Sequence, residues 1–174
     1  MRRARTDNPD LRFLGVEKIV SGGQTGVDRA ALDAAIELGI PHGGWCPKGR
    51  LCEGGVIDAK YLLTELSSPD YAARTLKNVQ DSDGTLVLYF EKLRGGTALT
   101  CRFARQNNKP LCRLRMDAPI NLLQVVDWIQ QHQIRVLNVA GPRGSSHPDI
   151  EATARTVLLR LFNQPAGLFD GSDA

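Results

Sequence analysis

The sequence predicts an α/β chain in three layers, with helices on both faces of a mainly parallel sheet. Three apolar stretches each end in a glycine-rich turn that opens into a helical pattern: Ile19-Val20 before Ser21-Gly22-Gly23, residues 85–90 before Gly95-Gly96-Thr97, and residues 134–139 before Ala140-Gly141-Pro142. The middle stretch, Thr85-Leu-Val-Leu-Tyr-Phe90, is apolar without alternation, as a strand covered on both faces should be.

Taken in order, the first strand spans about residues 18–21. The helix after it spaces Val27, Ala31, Ala35 and Leu38 at i, i+4, i+8 and i+11, and Gly39 ends it at C′. A second strand over 40–45 opens into a loop, 46–55, rich in glycine and cations, and residues 61–66 form a short third strand. Ser68-Pro69-Asp70 starts a helix with Ser68 as cap and Pro69 at N1. Tyr71, Arg74 and Asn78 share one face of that helix, the first two nearer the ligand edge of the sheet. Asp81-Ser82-Asp83-Gly84 is strong turn chemistry at the opposite edge, which outweighs a paired-carboxylate site. The buried strand 85–90 leads to a helix over 98–106, a strand over 110–114, an amphipathic helix over 119–132 and a last strand over 134–139. The closing helix has Pro148 near N1, Asp149 and Glu151 in its first turn, and an apolar face of Ile150, Ala154, Val157, Leu158 and Leu161. These elements form a single ligand-binding domain over 16–163, between a flexible N-terminal arm (1–15) and a flexible tail (164–174).

A chain of 174 residues fits one domain. Its net charge of +3 is spread thinly apart from Arg2-Arg3-Arg5, unlike the dense basic stripe of a nucleic-acid binder. No run approaches the roughly 18 apolar residues of a membrane span and no signal-peptide core follows the basic start, so a cytoplasmic protein without membrane partners is expected. Cys46, Cys52, Cys101 and Cys112 show no C-x-x-C pairing and read as reduced thiols. His42 with Cys46 and Cys52 lacks zinc spacing and a fourth ligand, so no structural metal is expected.

The first glycine turn has the makings of an anion site. Unpaired N–H groups and the aligned peptide dipoles favour negative charge at a helix start. Gly22, Gly23 and Gly26 allow close backbone approach, and Gln24 and Thr25 add side-chain donors. The spacing Ser21-x-Gly23-x-x-Gly26 is a dinucleotide fingerprint with serine for its first glycine, but the acidic residue about 20 positions on is missing and no Walker Gly-Lys-Ser/Thr closes the loop. NAD is therefore disfavoured, and a turn that merely packs helix on strand is the plain alternative. Lys48 and Arg50 would point into the same crevice or form a solvated basic loop. Gly95, Gly96 and Thr97 supply a second turn, and Gly141, Arg143, Gly144, Ser145 and Ser146 a third, although a helix cap alone explains the two serines. His147, before a proline, reads as a surface cap residue. Asp28 and Asp33 are the possible bases, and Asp28 is equally an acid placed favourably at a helix start.

Two stretches, Ser21-Gly-Gly-Gln-Thr-Gly-Val-Asp-Arg-Ala-Ala-Leu-Asp-Ala-Ala35 and Gly43-Gly-Trp-Cys-Pro-Lys-Gly-Arg50, resemble the bacterial molybdenum (cofactor) carrier proteins, a YpsA-related branch of the Rossmann-like SLOG superfamily. Residues 74–79, 82–85, 95–100 and 138–143 continue the resemblance, which covers about 16–162. It implies a Rossmann-like fold, a ligand site over the glycine turns, homo-oligomers, and binding or carriage of molybdenum cofactor. That cofactor is a pterin with a phosphate, which the turns would hold while Lys48, Arg50 or Arg29 adds charge, with Arg74 near the same crevice. The superfamily also contains nucleotide sensors and phosphoribohydrolases. The latter use Gly-Gly-x-Gly-Thr-x-x-Glu, whereas this chain has Gly95-Gly-Thr-Ala-Leu-Thr100 without the glutamate, and its histidines (His42, His132, His147) fall on separate elements. The expectation is a binding protein for a phosphorylated ligand, molybdenum cofactor first and a nucleotide otherwise. A nucleotide sensor, or a phosphoribohydrolase-like enzyme using Asp28 or another acid, is the alternative.

Overall fold

The computed structural model describes residues 13–163. In chain order the elements are β1 (Lys18–Val20), α1 (Val27–Leu38), β2 (His42–Gly43), β3 (Trp45–Cys46), β4 (Leu51–Cys52), β5 (Gly55–Val56), β6 (Thr64–Glu65), α2 (Tyr71–Gln80), β7 (Gly84–Tyr89), α3 (Gly95–Gln106), β8 (Leu111–Arg115), α4 (Leu122–Gln131), β9 (Val136–Ala140) and α5 (Ile150–Phe162). Five strands make a parallel central sheet in the order β2-β1-β9-β7-β8. The last strand of the described residues lies in the middle, with Leu137 opposite Ile19 on one side and Val139 opposite Leu86 on the other.

Alternation along the strands divides the core between two faces. Ile19, Leu86, Leu88, Leu114, Leu137 and Val139 join one apolar cluster with Ala31 of α1, Val126 and Ile129 of α4, and Leu158 and Leu161 of α5. Over the other face, where Thr85 and Val87 point, α2 packs on α3. The helices thus form the two outer layers of an α/β/α sandwich. Thr85 and Asn138 are buried cross-strand neighbours, and the Asn138 amide donates to Thr85 Oγ1 at 3.1 Å, so that pair needs no water.

Several boundaries differ from the sequence reading, each for a local reason. The second strand covers only His42–Gly43, because Gly44 takes φ 125° and turns the chain out of the sheet. A Cβ at Gly44 would lie 2.2 Å from the Ser21 carbonyl oxygen. Trp45–Cys46 pairs instead with Thr64–Glu65, so the expected third strand is a two-residue piece outside the central sheet. Asn78 holds this detour by accepting from Trp45 N at 2.8 Å and donating to Trp45 O at 3.0 Å. Asp70, not Ser68, caps α2 by accepting from Ala72 N at 2.8 Å, and Pro69 therefore precedes the helix. Helix α3 starts earlier than expected, at Gly95, and α4 and α5 later, at Leu122 and Ile150, which leaves Pro148 outside.

Phe13–Gly15, expected within a loose arm, form a 3₁₀ turn whose Phe13 and Leu14 pack on the core. The rest of the arm and the tail from 164 lie outside the described residues. The Asp81–Gly84 segment is a turn: Asp83 accepts from Arg135 N at 3.0 Å and Val136 N at 2.7 Å, tying the start of β9 to that of β7. The four cysteines are buried and unpaired, and burial pushes the Cys112 thiol up to about 11. Among the described residues no helix is long and apolar enough to cross a membrane.

Candidate functional site

A cavity of about 490 Å³ lies at the carboxyl ends of β1, β7 and β9. From β1 the chain steps outward to β2, and from β7 it steps the other way to β8, so the cavity sits where the winding reverses. The first turns of α2 and α3 and the loop after β9 wall it.

Four consecutive backbone donors of the first glycine turn, from Gln24 to Val27, are taken by the protein itself. Gln24 N donates to Asp28 Oδ2 at 3.2 Å, Thr25 N to Gln24 Oε1 at 3.0 Å, Gly26 N to Glu151 Oε2 at 3.0 Å and Val27 N to Pro142 O at 3.1 Å. Its glycines meet protein as well. A Cβ at Gly22 would lie 1.6 Å from an Arg74 guanidinium nitrogen, at Gly23 2.6 Å from Leu63, and at Gly26 2.4 Å from the Pro142 carbonyl oxygen. Gly141 is equally tight, 2.2 Å from the Leu88 carbonyl oxygen. These residues let β1, α1, α2 and the β9–α5 loop close on one another, which is the packing reading of the turn.

The second glycine turn is open. The first turn of α3 closes on the Arg94 carbonyl through Thr97 N at 3.1 Å and Ala98 N at 3.2 Å. The Gly95 and Gly96 N–H groups lie ahead of any intrahelical acceptor and make no hydrogen bond among the described residues. A Cβ at either glycine would meet nothing within 4 Å. Both line the cavity, beside Lys92 and Arg94 of the same loop.

Asp28 and Arg74 form the buried charge pair of the wall. Arg74 Nη1 donates to Asp28 Oδ2 at 2.9 Å, and Asp28 is only 4% exposed. Burial raises the Asp28 carboxyl above the ordinary carboxylate range, opposed in part by the Arg74 cation and the Gln24 N–H. Arg74 also sits 5.9 Å from the centre of the Tyr71 ring, and its Nε is buried without a partner. His147 touches Phe90 edge-on at 4.7 Å and accepts from Asp149 N at 3.2 Å, a capping role at the cavity rim.

Of the residues expected at a ligand, the cavity brings together Gln24, Asp28, Arg74, Gly95, Gly96, Thr97, Gly141 and Arg143. It does not reach Gly22, Gly23, Thr25, Gly26, Arg29, Lys48, Arg50 or Ser145. Arg50 is a brace instead: its guanidinium donates to the carbonyls of Ile57 (3.1 Å), Asp58 (2.9 Å), Tyr61 (2.9 Å) and Leu63 (3.3 Å). Lys48 is exposed on a 3₁₀ turn outside the wall, and Arg29 donates to Cys52 Sγ at 3.5 Å. Thr25 and Ser145 both bond to Glu53. Sequence reasoning missed Lys92, Arg94 and Phe90, although Leu93-Arg94-Gly95-Gly96 signals the first two by adjacency to the turn.

A parallel sheet with a cavity over the carboxyl ends of its inner strands, walled by glycine turns, defines a Rossmann-like α/β fold. Residues 19–162 match the circularly permutated YpsA SLOG family, and the chain belongs to that family. It is also similar to the crystal structure, at 1.45 Å resolution, of a "putative molybdenum carrier protein" from Syntrophus aciditrophicus SB. The two share 47% identity with a TM-score of 0.81, over 86% of this chain and 96% of the other. No curated protein matches the chain.

Proposed function

We propose that this chain binds a phosphorylated heterocycle in the cavity, with the phosphate on the Gly95 and Gly96 N–H groups, and that its cargo is the pterin phosphate of molybdenum cofactor. The open N–H pair at the start of a 12-residue helix carries the reading, because such donors and the helix dipole favour a dianion. Arg74, Lys92, Arg94 and Arg143 add cations around the same space, and Tyr71 and Phe90 offer ring surface. The name of the Syntrophus protein supports molybdenum as part of the cargo. Among the described residues no three His, Cys, Asp or Glu side chains converge to hold a metal ion. In this reading the metal travels on its pterin.

The decisive variant is Gly96→Val, read by titration calorimetry with GMP, whose ring shares the 2-amino-4-oxo pyrimidine of pterins. The added side chain enters open space. Binding is expected to weaken by on the order of 100-fold, while the melting temperature moves by no more than about 4 °C. Unchanged affinity in Gly96→Val, or no affinity in the wild type for GMP or a pterin phosphate, would refute the reading. Tyr71→Ala is expected to weaken GMP about tenfold and leave inorganic phosphate unaffected, since only the ring loses a partner. Equal loss for both ligands would place the ring elsewhere.

The raised Asp28 carboxyl at the wall favours a second reading, a phosphoribohydrolase-like enzyme. Release of free base from GMP, abolished in Asp28→Ala, would support it.

A further inference from the structure

We infer that Glu53, outside the cavity wall, is a positioning residue that sets which donors the cavity offers; the inference rests on the ligand-binding reading above. Glu53 lies in the β4–β5 hairpin, whose strands carry Leu51 and Val56, 46% and 70% exposed. Its carboxylate reaches across to two other elements. Thr25 Oγ1 and Ser145 N (2.9 Å) donate to Oε1, Ser145 Oγ donates to Oε2 at 2.7 Å, and Arg143 Nη1 lies 3.8 Å from Oε2. Thr25 Oγ1 also accepts from Gly144 N at 3.0 Å. One side chain therefore clasps the hairpin, the start of α1 and the β9–α5 loop.

The backbone of Glu53 completes the device. Its N–H donates to Gln24 Oε1 at 2.9 Å, and Thr25 N donates to the same oxygen at 3.0 Å. With two backbone donors on Oε1, the Gln24 carboxamide is fixed in one orientation, and its NH₂ is the end left to serve the cavity. An NH₂ is a donor only, so it selects a ligand with an acceptor there: a ring carbonyl oxygen or a ring nitrogen. The clasp likewise draws the Arg143 cation toward Glu53 and limits its reach to ligand phosphate. Hydrogen bonds from Thr25 and Ser145 and the Arg143 charge outweigh burial and hold the Glu53 carboxyl below its ordinary value, so the clasp is closed at neutral pH.

The test uses the full chain and its Glu53→Ala, Glu53→Gln and Gln24→Ala variants, with GMP and inorganic phosphate as probes. Glu53→Ala is expected to weaken GMP by about tenfold and to bind inorganic phosphate no more weakly than wild type, with Glu53→Gln within about threefold of wild type. Adding Gln24→Ala to Glu53→Ala should then cost less than Gln24→Ala costs alone, because without the side-chain clasp the hairpin no longer presses the residue 53 N–H onto Gln24 Oε1 and Thr25 N is left as its single anchor. A merely structural role would lower the melting temperature without separating the two ligands, and that result overturns the inference. A ligand-free measurement separates the two proposals. The Gln24 side-chain NH₂ resonances, assigned by ¹⁵N NMR, should shift in Glu53→Ala as the residue 53 N–H moves off Oε1 and Thr25 N remains. Unshifted resonances overturn the clasp, whereas shifted resonances in a chain that binds no GMP support the clasp and sink the binding reading.

Discussion

Gly26→Ala is expected to destabilise the fold by about 3 kcal/mol or more, seen as a fall in both the urea midpoint and the melting temperature. Gly26 sits at φ 83°, and its Cβ would lie 2.4 Å from Pro142 O and 2.7 Å from Arg143 C and Gly144 N. All three are backbone atoms, so no rotamer change relieves the clash. Gly39→Ala is the control for backbone conformation alone: φ is 70°, nothing lies within 4 Å of its Cβ, and the expected loss is about 1 kcal/mol. A Gly26→Ala protein no less stable than Gly39→Ala would show that the β9–α5 loop does not dock on the start of α1.

Arg74→Met is the second large effect. It leaves the Asp28 carboxylate, 4% exposed, without its cation, and at pH 8 the loss is expected to be about 3 kcal/mol. The deficit should depend on pH with a definite sign. Burial already raises the folded pKa of Asp28, and removing Arg74 raises it further, so the folded state holds that proton more tightly than the unfolded state does. The penalty is complete above the raised folded pKa. It is relieved as pH falls through that value toward the unfolded one, near about 4. Chemical denaturation at pH 8 and pH 5 should therefore give a smaller deficit at pH 5, and Asp28→Asn should restore stability to Arg74→Met at pH 8. Equal deficits at both values would mean that Asp28 is solvated.

How far the sequence reveals this molecule depends on how local each determinant is. α1, β7 and α5 were legible because their periodicity and flanking glycines lie within the segment itself. The bend at Gly44 was not: it depends on the Ser21 backbone beside it and on Asn78, which grips Trp45 from 33 residues away. The site shows the same limit. Each of the three turns looked like an anion cradle, yet Glu151 fills a donor of the first from 125 residues away. Arg50 looked like a ligand cation because a cation in a glycine-rich loop usually faces solvent or ligand, but four carbonyls brought round by the following loop take it. What sequence could not supply was the list of which donors and charges other parts of the chain had already claimed.

The central place of β9 has a consequence for how the chain is made. Strands β1 and β7 never touch in the sheet; both pair with β9, which ends at Ala140. Until that segment leaves the ribosome, β1–β2 and β7–β8 are two fragments with bare inner edges, and neither can close the sheet. Synthesis at roughly 5–20 residues per second holds those edges open for several seconds, long enough for strand-edge association or chaperone capture. Sheet closure therefore waits for Val136–Ala140, and a nascent chain stalled just before Val136 would be the form most prone to aggregate.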